Sequence, residues 1–472
     1  MTDFLVLNII ITFFIVFAFG IMLSYLILAL LSYMEIRKYI HAFGYVKSNL
    51  MLSSPIVPRV SILAPAYNEA LNIVANVRSL LSLQYTDMEL VIINDGSKDN
   101  SMDLLIEAYK LEKTSFYPYE YVSCKKIKGV YRSVHPSFSS LVVVDKENGG
   151  KSDALNAGIN VSSGKLFACI DVDCILEPNS IIKMVIPFIR ERSKKIIATG
   201  GVIRIANDCV FKGGRLQKVR LPNSWICRWQ VLEYMRSFLL GRMGWARVNG
   251  LLLISGAFGL FNRKLAIEAG GYRHDTVGED MELVVRMRRI MEEKRIPYAV
   301  KFIPDPLCWT EAPSSWKILG RQRNRWTRGT MDTLKFHRKM LFNPRYRFTG
   351  MVSFPYWLFF EWLAPIIEFL GIIITILLLV LGYVNVKFLI LTIILVYSFA
   401  VMISMYALWT DQRTYMQYKD RGDQWRLILA AFLEPFIYHP FLVWSALKGN
   451  IDYFSGKKSW GTMTRRGIAK NG

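Results

Sequence analysis

From residue 4 to 31 the chain is almost uninterruptedly apolar, long enough for one helix to cross a bilayer. This run, more than any other feature, limits what the fold can be. Residues 356–381 and 388–408 repeat the pattern near the other end, and 427–447 is a weaker third, broken by Glu434-Pro435 and His439-Pro440. Between them lies a stretch of ordinary composition, so a soluble-type α/β domain held between membrane helices is expected. Met1-Thr2-Asp3 lacks a basic region, and the apolar run exceeds that of a signal peptide, so the first segment is expected to remain as an anchor. Glu35-Ile36-Arg37-Lys38 follows it, and the positive-inside rule then places the middle of the chain in the cytoplasm. Three full crossings after the domain would leave the basic tail (Lys457, Lys458, Arg465, Arg466) outside, against that rule. Either the last segment is re-entrant or interfacial, or a further crossing is hidden near 351–366.

The net charge of +22 has two readings, a polyanion-binding surface or basic cytoplasmic margins of a membrane protein. The second is favoured, because Lys and Arg gather beside the membrane segments and between residues 321 and 345. No nucleic-acid motif accompanies the charge, so no nucleic-acid partner is expected. Six cysteines (Cys124, Cys169, Cys174, Cys209, Cys227, Cys308) include no C-x-x-C pair, which argues against a zinc site or a disulfide frame. They read as reduced core residues.

In the middle of the chain, apolar strands alternate with helices. Strands are expected at 60–65, 89–94, 141–144, 166–170 and 196–203; helices are expected at 69–83 (capped by Asn68), 152–159 and 281–293, and 115–139 reads as an irregular basic stretch. The alternation argues for a mostly parallel sheet, whose ligands collect at the carboxyl ends of the strands. Asp95 and Asp171 stand at two such ends. Asp171-Val172-Asp173 supplies two carboxylates on one side of a strand, hard oxygen ligands that suit Mg or Mn carrying a diphosphate. The triplet alone is common; its place after a buried strand is what raises it. Asp95, in Asn94-Asp95-Gly96-Ser97, is either a turn-former or a carboxylate that takes hydrogen bonds from a nucleoside. Lys151, at the Gly-rich start of a helix, is either a solvated capping lysine or a phosphate ligand. Glu279-Asp280 is either a plain acidic helix start or a general base, Asp280, beside a carboxylate, Glu279, that raises its proton affinity. Gln322, Arg325 and Trp326 fall at i, i+3 and i+4 and share a helix face offering an amide, a guanidinium and an indole. That face suits an anionic leaving group next to a flat sugar ring. Trp225, Trp229 and Trp245 read as core or membrane-facing anchors, and Trp309-Thr310-Glu311 as a loosely held acceptor lining.

Taken in order, Asp95, Lys151, Asp171-x-Asp173, Glu279-Asp280 and Gln322-x-x-Arg325-Trp326 resemble the processive branch of glycosyltransferase family 2, which includes cellulose, hyaluronan, chitin and poly-N-acetylglucosamine synthases. The resemblance covers residues 60–329 and the flanking membrane pattern. It extends through Ala64-Pro65-Ala66-Tyr67-Asn68-Glu69, Asp145-Lys146-Glu147-Asn148-Gly149-Gly150-Lys151 and Ser255-Gly256-Ala257-Phe258. It implies an α/β GT-A domain packed on interface helices and a membrane channel. It further implies nucleotide contacts from Ala66, Tyr67, Glu69, Asp95, Lys151 and Asp171, a Mg2+ or Mn2+ ligand in Asp173, and Asp280 as the base of an inverting displacement. Gln322, Arg325 and Trp326 would hold the diphosphate and the acceptor sugar. Gly278-Glu279-Asp280 matches neither the Thr-Glu-Asp of cellulose synthases nor the Gly-Asp-Asp of hyaluronan synthases. A cellulose-type gating loop and cyclic-di-GMP domain are not recognisable. Membrane helices are fewer than in those synthases, so a small membrane partner subunit is expected to help form the pore.

The expected organisation is a transmembrane helix (1–34), a juxtamembrane linker (35–55), the catalytic domain (56–315), interface helices (316–350), a membrane region of about three segments (351–450) and a basic tail (451–472). The expected function is polymerisation of a β-linked exopolysaccharide from a UDP-sugar at a bacterial inner membrane. Two alternatives are a transferase adding one sugar to a lipid and a non-catalytic receptor for a nucleotide or polysaccharide.

Overall fold

The computed structural model describes residues 2–43, 56–115, 119–212 and 214–457. A helix over Thr2–Phe43 takes in the first apolar run and continues through much of the expected linker; the remainder of that linker, 44–55, lies outside the described residues, as does the tail from 458. The strands are β1 (Val60–Ala66), β2 (Met88–Asn94), β3 (Leu111–Thr114), β4 (Ile127–Ser133), β5 (Leu141–Lys146), β6 (Leu166–Ile170), β7 (Ile175–Leu176), β8 (Lys195–Ile205), β9 (Val210–Lys212), β10 (Arg215–Lys218), β11 (Phe258–Asn262) and β12 (Tyr298–Thr310). Ten of them form one sheet in the order β3-β4-β5-β2-β1-β6-β11-β8-β12-β7, while β9 and β10 pair separately.

The sheet is mixed, where a mostly parallel one was expected. β5-β2-β1-β6 run parallel, and so do β8 and β12, but β11 enters antiparallel between β6 and β8. β3, at the edge, and β4 beside it are antiparallel as well, and β4 lies inside the stretch read as irregular. Its sequence, Ile-Lys-Gly-Val-Tyr-Arg-Ser, has basic residues where a buried strand would carry apolar ones, and only Gly129 and Val130 are buried. The central strands are apolar along their length because helices cover both faces. The helix expected from Glu69 starts at Ile73 instead. Asn68 does not cap it; its φ is +56, and its side-chain oxygen accepts the Lys98 amide at 2.9 Å.

Among the described residues, three helices are long and apolar enough to cross a membrane: Asn8–Ala42, Val386–Thr414 and Arg421–Phe454. A fourth candidate is the pair Thr349–Trp362 and Ala364–Val380, bent by 44° at their junction. Arg421–Phe454 packs along the Trp316–Phe336 helix: Trp316 lies 4.5 Å from Phe441 between ring centroids, and Asn324 donates to Asp452 at 2.8 Å. One face of the weakest apolar segment is therefore covered by protein, in keeping with its interrupted sequence.

Two joins bind the sheet to the membrane helices. Arg204 of β8 makes a buried ion pair with Asp411 of the Val386–Thr414 helix. On the other side Asp305 of β12 takes Tyr39 of the first helix at 2.5 Å and Lys183.

Candidate active site

β1 and β2 end side by side, and the loops after them form the floor of a cleft. Asp95 follows β2 and is buried. Its Oδ1 accepts Lys146 Nζ at 2.7 Å and the Gly149 amide at 3.0 Å, and its Oδ2 accepts the Gly150 amide at 2.8 Å. The carboxylate thus moulds the Gly-rich loop that delivers Lys151. Gly150 has φ +87, which L side chains rarely adopt, and this turn starts the Lys151–Val161 helix.

Lys151 Nζ lies 2.5 Å from Asp171 Oδ1, 3.2 Å from the Gly256 carbonyl and 4.0 Å from Glu279 Oε1. Burial on its own would push this lysine's pKa down, but the charges of Asp171 and Glu279 reverse the shift and hold it above its ordinary value. Burial pushes the Glu279 carboxyl up, with Lys151 partly opposing. The Gly256 backbone ties two predicted residues together: its carbonyl accepts from Lys151, and its amide donates to Asp280 Oδ2 at 2.8 Å. Asp280 Oδ1 accepts the Met281 amide, also at 2.8 Å.

Asp171, Asp173 and Cys174 place their ligand atoms within 4.8 Å of one another at the end of β6. A hydrogen bond with Cys308, together with burial, raises the Cys174 thiol well above its ordinary pKa, and its soft sulfur is no ligand for a hard cation. Two half-buried carboxylates remain, a donor set that fits Mg2+ or Mn2+ with further positions left for phosphate and water.

The Trp316–Phe336 helix forms the opposite wall. Gln322, Arg325 and Trp326 face the cleft, with Trp326 41% exposed; Arg323 is buried but also lines it, whereas Asn324 turns inward. Arg323 is not among the residues singled out from the sequence. Its guanidinium stands 4.1 Å over the Trp326 ring and clamps Glu233 through bonds of 2.7 and 2.8 Å. Glu233 lies far away in sequence, on the Trp225–Met235 helix, so only a cation one position from a motif residue could have pointed to it. Trp229 and Trp245 are buried and Trp225 is partly exposed; Trp309 is buried, with its indole on Glu177 at 2.9 Å, while Thr310 and Glu311 reach the cavity.

Ala66, Tyr67, Glu69, Asp95, Lys151, Asp171, Asp173, Glu279, Asp280, Gln322, Arg325 and Trp326 all line one cavity of about 2090 Å³. Two glycines hold its walls together. A methyl group on Gly329 would lie 2.7 Å from the Gly278 Cα, so the loop before Glu279-Asp280 and the helix carrying Arg325-Trp326 touch backbone to backbone. Gly329→Val should cost about 1–3 kcal/mol, as steric strain forces the two walls apart. Gly241→Ala, whose methyl meets nothing nearer than 3.8 Å, should be tolerated. Thermal unfolding measures both.

Residues 61–243 match the family model for glycosyl transferase family 2, and residues 169–408 match that for glycosyl transferase family group 2. The chain is a family 2 glycosyltransferase. The family 2 glycosyltransferase is 27% identical over 279 residues to poly-beta-1,6-N-acetyl-D-glucosamine synthase of Staphylococcus epidermidis, covering 59% of this chain and 56% of that one. It is 26% identical over 317 residues to probable glycosyltransferase YdaM of Bacillus subtilis (strain 168), covering 64% of each. The chain thus spans between about half and two thirds of the length of the curated relatives it matches. A solved structure, mannosyltransferase PcManGT from Pyrobaculum calidifontis in complex with GDP-Man and Mn2+, shares 13% identity at a TM-score of 0.48, covering 91% of this chain and 100% of that one.

Proposed function

We propose that this glycosyltransferase extends a β-linked exopolysaccharide from a UDP-sugar by inverting, processive transfer and passes the product across a bacterial inner membrane. The observation that carries this reading is the continuity of one cavity, from Asp95 and Asp171 past Asp280 and Trp326 to Phe14, Ile372 and Ile393 on the apolar helices. The names of the poly-beta-1,6-N-acetyl-D-glucosamine synthase relatives make UDP-N-acetylglucosamine the first donor to try.

In this reading residues 66–69 and the loop shaped by Asp95 hold uridine, and Lys151 meets the diphosphate. Asp173, with Asp171 beside it, would hold Mg2+ or Mn2+, which supplies positive charge to the diphosphate when bound. Trp326 stacks on the acceptor sugar. Asp280 takes the proton from the acceptor hydroxyl as its oxygen attacks the anomeric carbon; the bond to UDP breaks, and its electron pair leaves on the diphosphate. Attack from the opposite side converts an α-linked donor into a β-linkage. Lys151 and Arg325 answer the charge that grows on the departing group. Three crossings (the first helix, the bent pair and Val386–Thr414) with Arg421–Phe454 along the interface would keep both the domain and the basic tail in the cytoplasm. A small partner subunit would complete the pore.

One observation favours a second reading, single transfer to a lipid. Past the ionisable residues, the membrane part of the cavity is walled by Ile372, Ile376, Leu379, Leu389, Ile393 and Val396, a lining suited to an acyl or prenyl tail. The full chain in lipid nanodiscs, given UDP-glucose, UDP-N-acetylglucosamine, UDP-galactose or UDP-glucuronate with Mg2+ or Mn2+, decides between them. Release of UDP with a high-mass, glycosidase-sensitive product is expected. A single sugar on lipid would establish the second reading, and silence with all four donors would defeat both.

A further inference from the structure

Where the cavity meets the membrane helices, its lining becomes ionisable. Arg236 and Glu361 come from the π-helical turns Arg236–Arg242 and Trp357–Trp362, Glu368 from Ala364–Val380, and Glu434 and His439 from Arg421–Phe454. Arg236 is tied down by Glu434 at 2.5 Å and Ser404 at 2.7 Å, in a largely buried pair. The second pair differs. His439 Nε2 lies 2.9 and 3.0 Å from the two Glu368 oxygens, yet these side chains are 51% and 40% exposed. Glu368 is only four residues into its helix, about 6 Å above its start, so the pair sits where cytosolic cleft gives way to apolar wall.

An ion pair left open beside apolar walls is costly unless a polar occupant meets it. Phe436 and Tyr397 also line the cavity here, their ring centroids 5.1 Å apart. A sugar ring has two kinds of surface: C–H faces that lie against aromatic rings, and hydroxyls around its edge that pair with carboxylate and imidazole. We infer that Glu368, His439, Phe436 and Tyr397 form a saccharide subsite at the membrane end of the cavity, filled by a sugar unit of the growing chain. The subsite rests on the polymer reading given above.

The test uses the full chain in nanodiscs and a β-linked N-acetylglucosamine hexamer as probe. Glu368→Leu and His439→Leu should each weaken hexamer binding about tenfold, the loss of roughly one well-made polar contact. Glu368→Gln, which keeps the shape and hydrogen bonding, should recover most of it. Product length per UDP released should fall with hexamer affinity. UDP affinity, read at the far end of the cavity, reports intact folding and should stay as in the parent. Unchanged hexamer binding in both Leu variants overturns the subsite, as does an equal loss of UDP affinity. A parent enzyme that adds one sugar and stops would sink the polymer reading by itself, while hexamer affinity still decides the subsite.

Discussion

Asp280→Asn should lower sugar transfer by about 10²- to 10⁴-fold, the usual weight of a positioned general base, while UDP still binds. The geometry explains why so small a change is severe. Each oxygen of Asp280 already accepts a backbone amide, Gly256 on one side and Met281 on the other. A carboxylate has lone pairs to spare for an acceptor hydroxyl beyond these two bonds. An amide does not: its NH2 would have to face one of the two N–H donors, at a cost of about 1–3 kcal/mol, and it takes up no proton. The unfolding temperature separates that strain from the lost chemistry. Single-turnover UDP release from a bound donor is the deciding measurement, and parental rates in the variant would remove Asp280 from the mechanism.

Asp173→Ala should cost about 10²-fold or more in transfer, and chelation should silence the parent enzyme, with Mg2+ or Mn2+ restoring it. Because Asp173 and Asp171 are the two hard donors at the end of β6, the variant should also lose Mn2+ affinity in a direct titration without any sugar. This readout does not depend on activity. Asp171→Ala is expected to behave differently, since it also removes the 2.5 Å partner of Lys151 and frees that ammonium to swing. Full activity of Asp173→Ala in the presence of chelator would remove the ion from the reaction.

Much of this molecule was legible from the sequence because its chemistry sits where local patterns end. Asp95 and Asp171 follow continuous apolar strands, Lys151 follows two glycines, and Gln322, Arg325 and Trp326 repeat at helical spacing. All of them reach the one cavity. What the sequence hid is long-range. The reversed direction of β11 depends on pairing with β6 and β8, which no run of five residues can state. The hold of Arg323 on Glu233, the Gly278–Gly329 contact and the Glu368–His439 pair each join segments distant in the chain. Asp95 is the instructive case: a turn residue by its neighbours and a nucleoside ligand by resemblance, it takes on its carboxylate four hydrogen bonds from the distant loop that delivers Lys151.

The joins between sheet and membrane, Arg204 with Asp411 and Asp305 with Tyr39 and Lys183, have a consequence for engineering. Cutting away the Val386–Thr414 helix would strand the buried Arg204 guanidinium, which costs several kcal/mol, and cutting away the first helix would take the Tyr39 hydroxyl from Asp305 and leave it to Lys183. The sugar-handling half is thus no cargo on a tether that could be trimmed free and kept in solution. Grafting a new donor preference onto this scaffold would have to spare both rivets and work through the loops above the strands.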